Sequence, residues 1–259
     1  MTALFGNSLT AGTLGIPFTA YLNAALRPFG INGDTMRGVT ARALSFLRRE
    51  CRSQRTPAAL LLECGSNDLL LPYMAAAGPD WEAAAMSLIK RNREPIPNIT
   101  QLVSAYRDRL EAIIDAAVQS GMRPQQVAVL TVPILGEQLE SVLNRKKRQL
   151  NTQLRRVCQE LGISCIDPEF RFEQFLIENG NADGREPFFP DQTTPDLFER
   201  DAAFIAGSLE RALQLSRERR LLVTTDGLHF NGEGARLLAE ELREFLNFVN
   251  QIKSGIIVP

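Results

Sequence analysis

Short apolar runs alternate along this chain with longer amphipathic stretches. The runs are Ala3–Phe5, Ala58–Cys64, Val127–Val132 and Ile163–Ile166, and each is followed by Gly, Pro or Asp. Nearly unbroken apolar runs of this length mark parallel strands buried on both faces. A weaker strand candidate covers Pro28–Ile31. Helices are expected over Arg42–Arg49, Ile99–Gln119, Gln138–Leu161 and Gly232–Val249. In the second, apolar residues fall at 99, 102, 103, 106, 110, 113, 114, 117 and 118, close to a helical period. Gly121 and Gly162 stand where helix C-terminal caps belong. Strands alternating with helices predict an α/β fold, a parallel sheet between two helical layers with right-handed crossovers.

Two stretches exceed that plan. Leu69–Pro97 holds Trp81, the only tryptophan, and Glu169–Asp196 is rich in Phe, Asn, Gly and Pro. Both are expected as insertions on one domain spanning 1–259. Such insertions serve as lids or pocket walls, or merely decorate the surface.

Charge narrows the function classes. The 259 residues carry 29 Lys+Arg against 30 Asp+Glu, a formal charge of −1. Nothing in that balance favours nucleic acid or an anionic membrane as partner. No apolar run approaches the roughly 18 residues of a membrane span. The start, MTALFGNSLT, lacks the basic and long apolar segments of a signal peptide, so a cytoplasmic location is expected. The basic run Arg145–Arg148 is expected to be a solvated helix face.

The single histidine is the sharpest restriction. It excludes a two-histidine zinc motif, and any histidine base must be His229. Cys51, Cys64, Cys158 and Cys165 form no C-x-x-C pair; free, mostly buried thiols are expected, with a Cys158–Cys165 bridge as the alternative. No metal or cofactor is expected.

His229 lies in Thr225-Asp226-Gly227-Leu228-His229-Phe230-Asn231. A three-residue gap in a loop lets the Asp226 carboxylate turn back onto the imidazole, fix its tautomer and leave the other nitrogen as a base. Ser8 directly follows the first strand, at the carboxyl edge where open α/β sheets hold ligands. Alone, a Gly-Asn-Ser turn reads as a helix cap. The loops Ile31–Thr35 and Glu63–Asp68 follow strands in the same way and offer the Gly33 N–H and the Asn67 amide. Each alone is an ordinary turn signal.

Together they read G-N-S-L-T at 6–10, N-G-D-T at 32–35, G-S-N-D at 65–68 and D-G-L-H-F-N at 226–231. In order and spacing this resembles the SGNH hydrolases, also called the GDSL lipase/esterase family. The resemblance implies a three-layer, flavodoxin-like fold with a five-stranded parallel sheet in the order 2-1-3-4-5. It implies Ser8 as nucleophile, His229 as base and Asp226 as its orienting acid. It implies an oxyanion hole of Ser8 N–H, Gly33 N–H and the Asn67 amide. The activity implied is hydrolysis of a small-molecule or lipid ester through an acyl-enzyme, with no cofactor. Phe188, Phe189, Trp81 and Leu69–Leu71 are available to line an apolar groove. Asn7 stands where the family usually has Asp, at the cost of one charge beside Ser8. The competing readings are a non-catalytic binding module on the same fold and a small-molecule-binding flavodoxin-like protein; no phosphate-cradling Gly-rich loop supports the latter.

Overall fold

The computed structural model describes residues 1–22, 26–92, 98–180 and 184–254. Among these, the strands are β1 (Thr2–Gly6), β2 (Leu26–Gly30), β3 (Ala59–Glu63), β4 (Val127–Leu130) and β5 (Ser164–Ile166). All pair in parallel, in the order β2-β1-β3-β4-β5. The expected fold and strand order are therefore observed. Helices α1 (Ser8–Ala11), α2 (Met36–Arg52), α3 (Ser66–Ala75), α4 (Pro79–Asn92) and α5 (Ile99–Gln119) precede β4. Helices α6 (Val142–Leu161), α7 (Glu169–Glu178), α8 (Leu197–Ile205), α9 (Leu209–Glu218) and α10 (Gly232–Lys253) follow it.

Successive strand residues point to opposite faces, so the sheet divides the interior in two. Ala3, Phe5, Leu60, Leu62, Val127 and Val129 pack with α2 to α6. Leu4, Ala59, Leu61, Ala128, Leu130 and Ile166 pack with α7 to α10. Both faces are covered, which is why the strands read as apolar runs and not as alternation.

Several boundaries differ from the sequence reading, for physical reasons. Helix α2 starts at Met36, six residues before Arg42, because the Met36 N–H is capped from elsewhere in the chain by Asp68 Oδ2 at 2.9 Å. Helix α6 starts at Val142, where the Ser141 side chain accepts from the Asn144 N–H at 3.1 Å. Of the first expected insertion, Leu69–Leu71 belong to α3 and are buried in the core, so they line no open groove. Helix α3 runs on to Ala75 and α4 takes up Pro79–Asn92; residues 93–97 lie outside the described residues, as do 181–183 of the second. The second opens with α7, and α8 and α9, which follow it, were not expected.

The basic run is a correction. Arg145 and Lys146 are exposed, but Lys147 is fully buried. Its ammonium lies 2.9 Å from Glu173 and 3.3 Å from Glu169. The two α7 carboxylates offset the desolvation that a lone buried cation would suffer. All four cysteines are free thiols; Cys64 and Cys158 are buried, Cys51 is half-buried and Cys165 is exposed. The two neighbouring thiols Cys158 and Cys165 perturb each other, the first held well above and the second below the ordinary thiol range. No described helix is long and apolar enough to cross a membrane.

Candidate active site

Strands β1, β2 and β3 end level with one another: Gly6 pairs with Gly30 and Phe5 with Leu62. The loops after them therefore leave the sheet side by side, where the strand order reverses direction about β1.

The first loop turns at once into α1. Asn7, not Ser8, caps that helix: its Oδ1 accepts from the Leu9 N–H at 3.0 Å. Its Nδ2 donates to Ser66 Oγ at 2.7 Å, tying the first loop to the third. An Asp here would have to accept from Ser66 instead, so Asn serves as both donor and acceptor. Below the turn lies the buried Glu63. Its Oε2 accepts from the Asn7 N–H at 2.9 Å and from the Thr10 hydroxyl at 3.0 Å. Burial pushes this carboxyl up to about 7, against the lowering effect of those bonds. Gly6 makes the approach possible, since a Cβ there would sit 2.5 Å from Glu63 Oε2 and 2.0 Å from Thr10 Oγ1.

The segment before α10 supplies the other half of the site. Asp226 Oδ2 lies 2.6 Å from His229 Nδ1. Asp226 Oδ1 accepts from the backbone N–H of His229 at 2.7 Å and of Leu228 at 2.9 Å. His229 Nε2 lies 2.9 Å from Ser8 Oγ, across 221 positions of sequence. Ser8, Asp226 and His229 are 5%, 1% and 2% exposed, so water does not compete for these bonds. Burial pushes the Asp226 carboxyl up, but the His229 charge and the three hydrogen bonds outweigh it, and its pKa ends below the ordinary range. An ionised Asp226 holds the proton on Nδ1 and leaves a lone pair on Nε2. That lone pair can receive the Ser8 proton.

Gly33 stands in the second loop, and Asn67 in the first turn of α3. Asn67 Nδ2 donates to the Asp34 carbonyl oxygen at 2.9 Å, so one amide hydrogen ties the start of α3 to the second loop. The second hydrogen is the one that can face an anion. Gly33 has φ +72°, in the left-handed region. A Cβ there would also lie 2.7 Å from Leu88 and 2.9 Å from Arg91, both on α4. Arg91 donates to the Asn32 carbonyl, and Asn92 to that of Gly33 at 3.1 Å. The end of α4 thus roofs this turn.

An aromatic wall stands beside the imidazole. Phe198 on α8 meets His229 edge-on at 5.9 Å, and Phe188 lies 6.4 Å away. Trp81 stacks on Phe188 at 5.6 Å, and its Nε1 donates to the Thr193 carbonyl at 3.0 Å. Phe189 lies behind, under the Arg185 guanidinium at 4.1 Å. Phe188 and Phe189 both have positive φ, 63° and 49°. Such backbone costs on the order of 1–3 kcal/mol per residue and persists where contacts over-determine it. Here the Phe188 N–H donates to the Asp226 carbonyl at 2.7 Å.

Sequence reasoning missed Glu63, Leu88 and Phe198. Glu63 left a signal, a lone acid inside the apolar run Ala58–Cys64. The other two left none.

The model of the GDSL-like Lipase/Acylhydrolase family matches residues 4–237. The chain belongs to this family. It is accordingly a carboxylic ester hydrolase. A search of curated proteins found no match. Among solved structures, the acetyl xylan esterase AlAXEase is similar, with TM-score 0.57 and 15% identity over 94% of this chain and 98% of that one. LAE5, described as an α/β hydrolase enzyme from the metagenome of Lake Arreo, Spain, has TM-score 0.55 and 15% identity over 96% and 95%. Axe2, an acetyl-xylooligosaccharide esterase from Geobacillus stearothermophilus, has TM-score 0.54 and 15% identity over 94% and 93%. At such identity these likenesses establish the GDSL-like fold and nothing finer.

Proposed function

We propose that this GDSL-like hydrolase cleaves short acyl esters by two-step acyl transfer at Ser8. The hydrogen-bonded series Asp226–His229–Ser8 carries the reading. His229 Nε2 takes the Ser8 proton as Oγ attacks the ester carbonyl. The carbonyl oxygen gathers charge in a hole formed by the Ser8 N–H, the Gly33 N–H and the Asn67 amide. His229 then gives the proton to the departing alkoxide, leaving an acyl ester on Ser8. Water, deprotonated by His229, releases the acid and restores the hydroxyl. Asp226 stays ionised throughout, keeps the imidazole in the right tautomer and stabilises the imidazolium.

Two features favour a short acyl group. Leu88 and Arg91 close on the Gly33 turn, where the acyl carbonyl must sit. The core burial of Leu69–Leu71 removes the longest apolar stretch that could have lined a lipid groove. The alcohol then falls toward Phe198, the half-buried ring of the aromatic cluster. An acetylated carbohydrate fits a small acyl site beside aromatic faces, and the acetyl-xylooligosaccharide esterase with the same fold makes it the first natural ester to try.

The test is hydrolysis of p-nitrophenyl esters from acetyl to palmitoyl by the parent, Ser8→Ala and His229→Ala. The parent should favour acetyl, and each variant should lose about a thousandfold or more. Turnover kept by either variant, or a preference for long chains, contradicts the proposal.

A further inference from the structure

Resting on that reading of the site, we propose that Glu137 is a positioning residue that holds the Asp226–His229 loop in register with Ser8. Glu137 lies between β4 and α6, far in sequence from the loop, and is fully buried. Four donors from one short segment converge on its carboxylate. Oε2 accepts from the Leu222 N–H at 2.7 Å. Oε1 accepts from the N–H of Val223 at 3.0 Å, from that of Thr224 at 2.9 Å and from the Thr224 hydroxyl at 2.7 Å.

The segment needs such a holder. Among the described residues it belongs to no strand of the sheet, and its one bridge is Thr224 with Phe230. Buried N–H groups without a ladder must find another acceptor. The hydroxyl passes the constraint on: with its proton committed to Glu137, Thr224 Oγ1 accepts from the Gly227 N–H at 3.2 Å. Gly227 stands between Asp226 and His229 in the chain. The backbone beside Glu137 closes the bracket. The Gly136 N–H donates to the Gly227 carbonyl at 2.7 Å, and the Glu137 N–H to the Arg185 carbonyl at 2.7 Å. The second bond anchors the segment whose Phe188 N–H holds the Asp226 carbonyl.

A glutamine cannot replace this carboxylate. Its oxygen can keep the three donors at Oε1, but its amide then faces the Leu222 N–H, donor against donor. The displacement falls on a geometry in which about 1 Å can cost on the order of a hundredfold in rate.

The experiment compares the parent, Glu137→Gln and Thr224→Val. Three readouts are taken: kcat and KM on p-nitrophenyl acetate, melting temperature, and the imidazole N–H resonance in NMR. As the only histidine, His229 gives that signal without ambiguity. Both variants should lose about tenfold to a hundredfold in kcat, hold KM within about twofold and move or broaden the resonance. A purely structural role would lower the melting temperature and leave the resonance of the folded variant unchanged. That result, or an unchanged kcat, overturns the proposal. Should Glu137→Gln fail to fold, Thr224→Val decides by the same criteria. Should the parent cleave no ester, the proposed function falls, and the resonance alone decides for Glu137.

Discussion

Replacing Asp226 with Asn isolates the electrostatic part of the site from its shape. Asp226 accepts three hydrogen bonds, two from backbone N–H groups at Oδ1 and one from the imidazole at Oδ2. Asparagine can keep its oxygen toward the backbone pair. Its amide then lies where Oδ2 stood, 2.6 Å from Nδ1, and donates where the carboxylate accepted. The imidazole answers by moving its proton to Nε2, the nitrogen 2.9 Å from Ser8 Oγ. That nitrogen can no longer accept the serine proton, and the carboxylate charge that stabilised the imidazolium is gone. The equivalent change in a serine protease costs about 10⁴ in turnover with geometry intact. A loss of about 10³–10⁴, or about 4–5.5 kcal/mol of transition-state stabilisation, is expected here. The assay is initial-rate hydrolysis of p-nitrophenyl acetate, with circular dichroism to confirm folding. A folded Asp226→Asn protein within about tenfold of the parent would refute the assignment of Asp226.

Three further outcomes follow. Glu63 is raised from the ordinary 4.5 to about 7, so the folded protein holds a proton that the unfolded chain has lost. The stability this gives is complete below 4.5 and disappears as pH rises through 7; Glu63→Gln should therefore gain on the parent by up to about 3 kcal/mol between about pH 5 and about pH 8 in melting experiments, and a pH-independent difference contradicts the shift. Asn67→Ala should lose on the order of 10²–10³ in kcat with KM little changed, and a loss confined to KM would remove Asn67 from the oxyanion hole. Leu88→Ala should move the acyl-chain optimum of p-nitrophenyl esters beyond acetyl, and an unmoved optimum means that α4 does not bound the acyl site.

The sheet was legible because both its faces are buried, so β1, β3 and β4 appear as bare apolar runs. The edge strand β2 was fainter. Arg27 and Pro28 are exposed there, and proline is tolerated only where a ladder bond can be spared. Ser8, Gly33 and Asn67 could be proposed because each comes just after a strand whose end the pattern marks, and Asp226 and His229 because the single histidine has an acid three positions before it. Their convergence could not be seen locally, since 221 positions separate Ser8 from His229. What the pattern hid was tertiary capping and tertiary burial. Asp68 starts α2 from another loop, and Lys147 looked like a surface cation until two carboxylates of α7 closed over it. Glu137 is the extreme case, a carboxylate that accepts from three backbone N–H groups and a hydroxyl more than 80 positions away.

The central claim is a covalent acyl-enzyme at Ser8. The most direct measurement is intact-mass and peptide mapping of the protein quenched in acid during turnover of p-nitrophenyl acetate, beside Ser8→Ala. One acetyl group on the peptide carrying Ser8, absent from the variant, is the predicted result. Turnover with no adduct at Ser8, or an acetyl group that persists in Ser8→Ala, would contradict it.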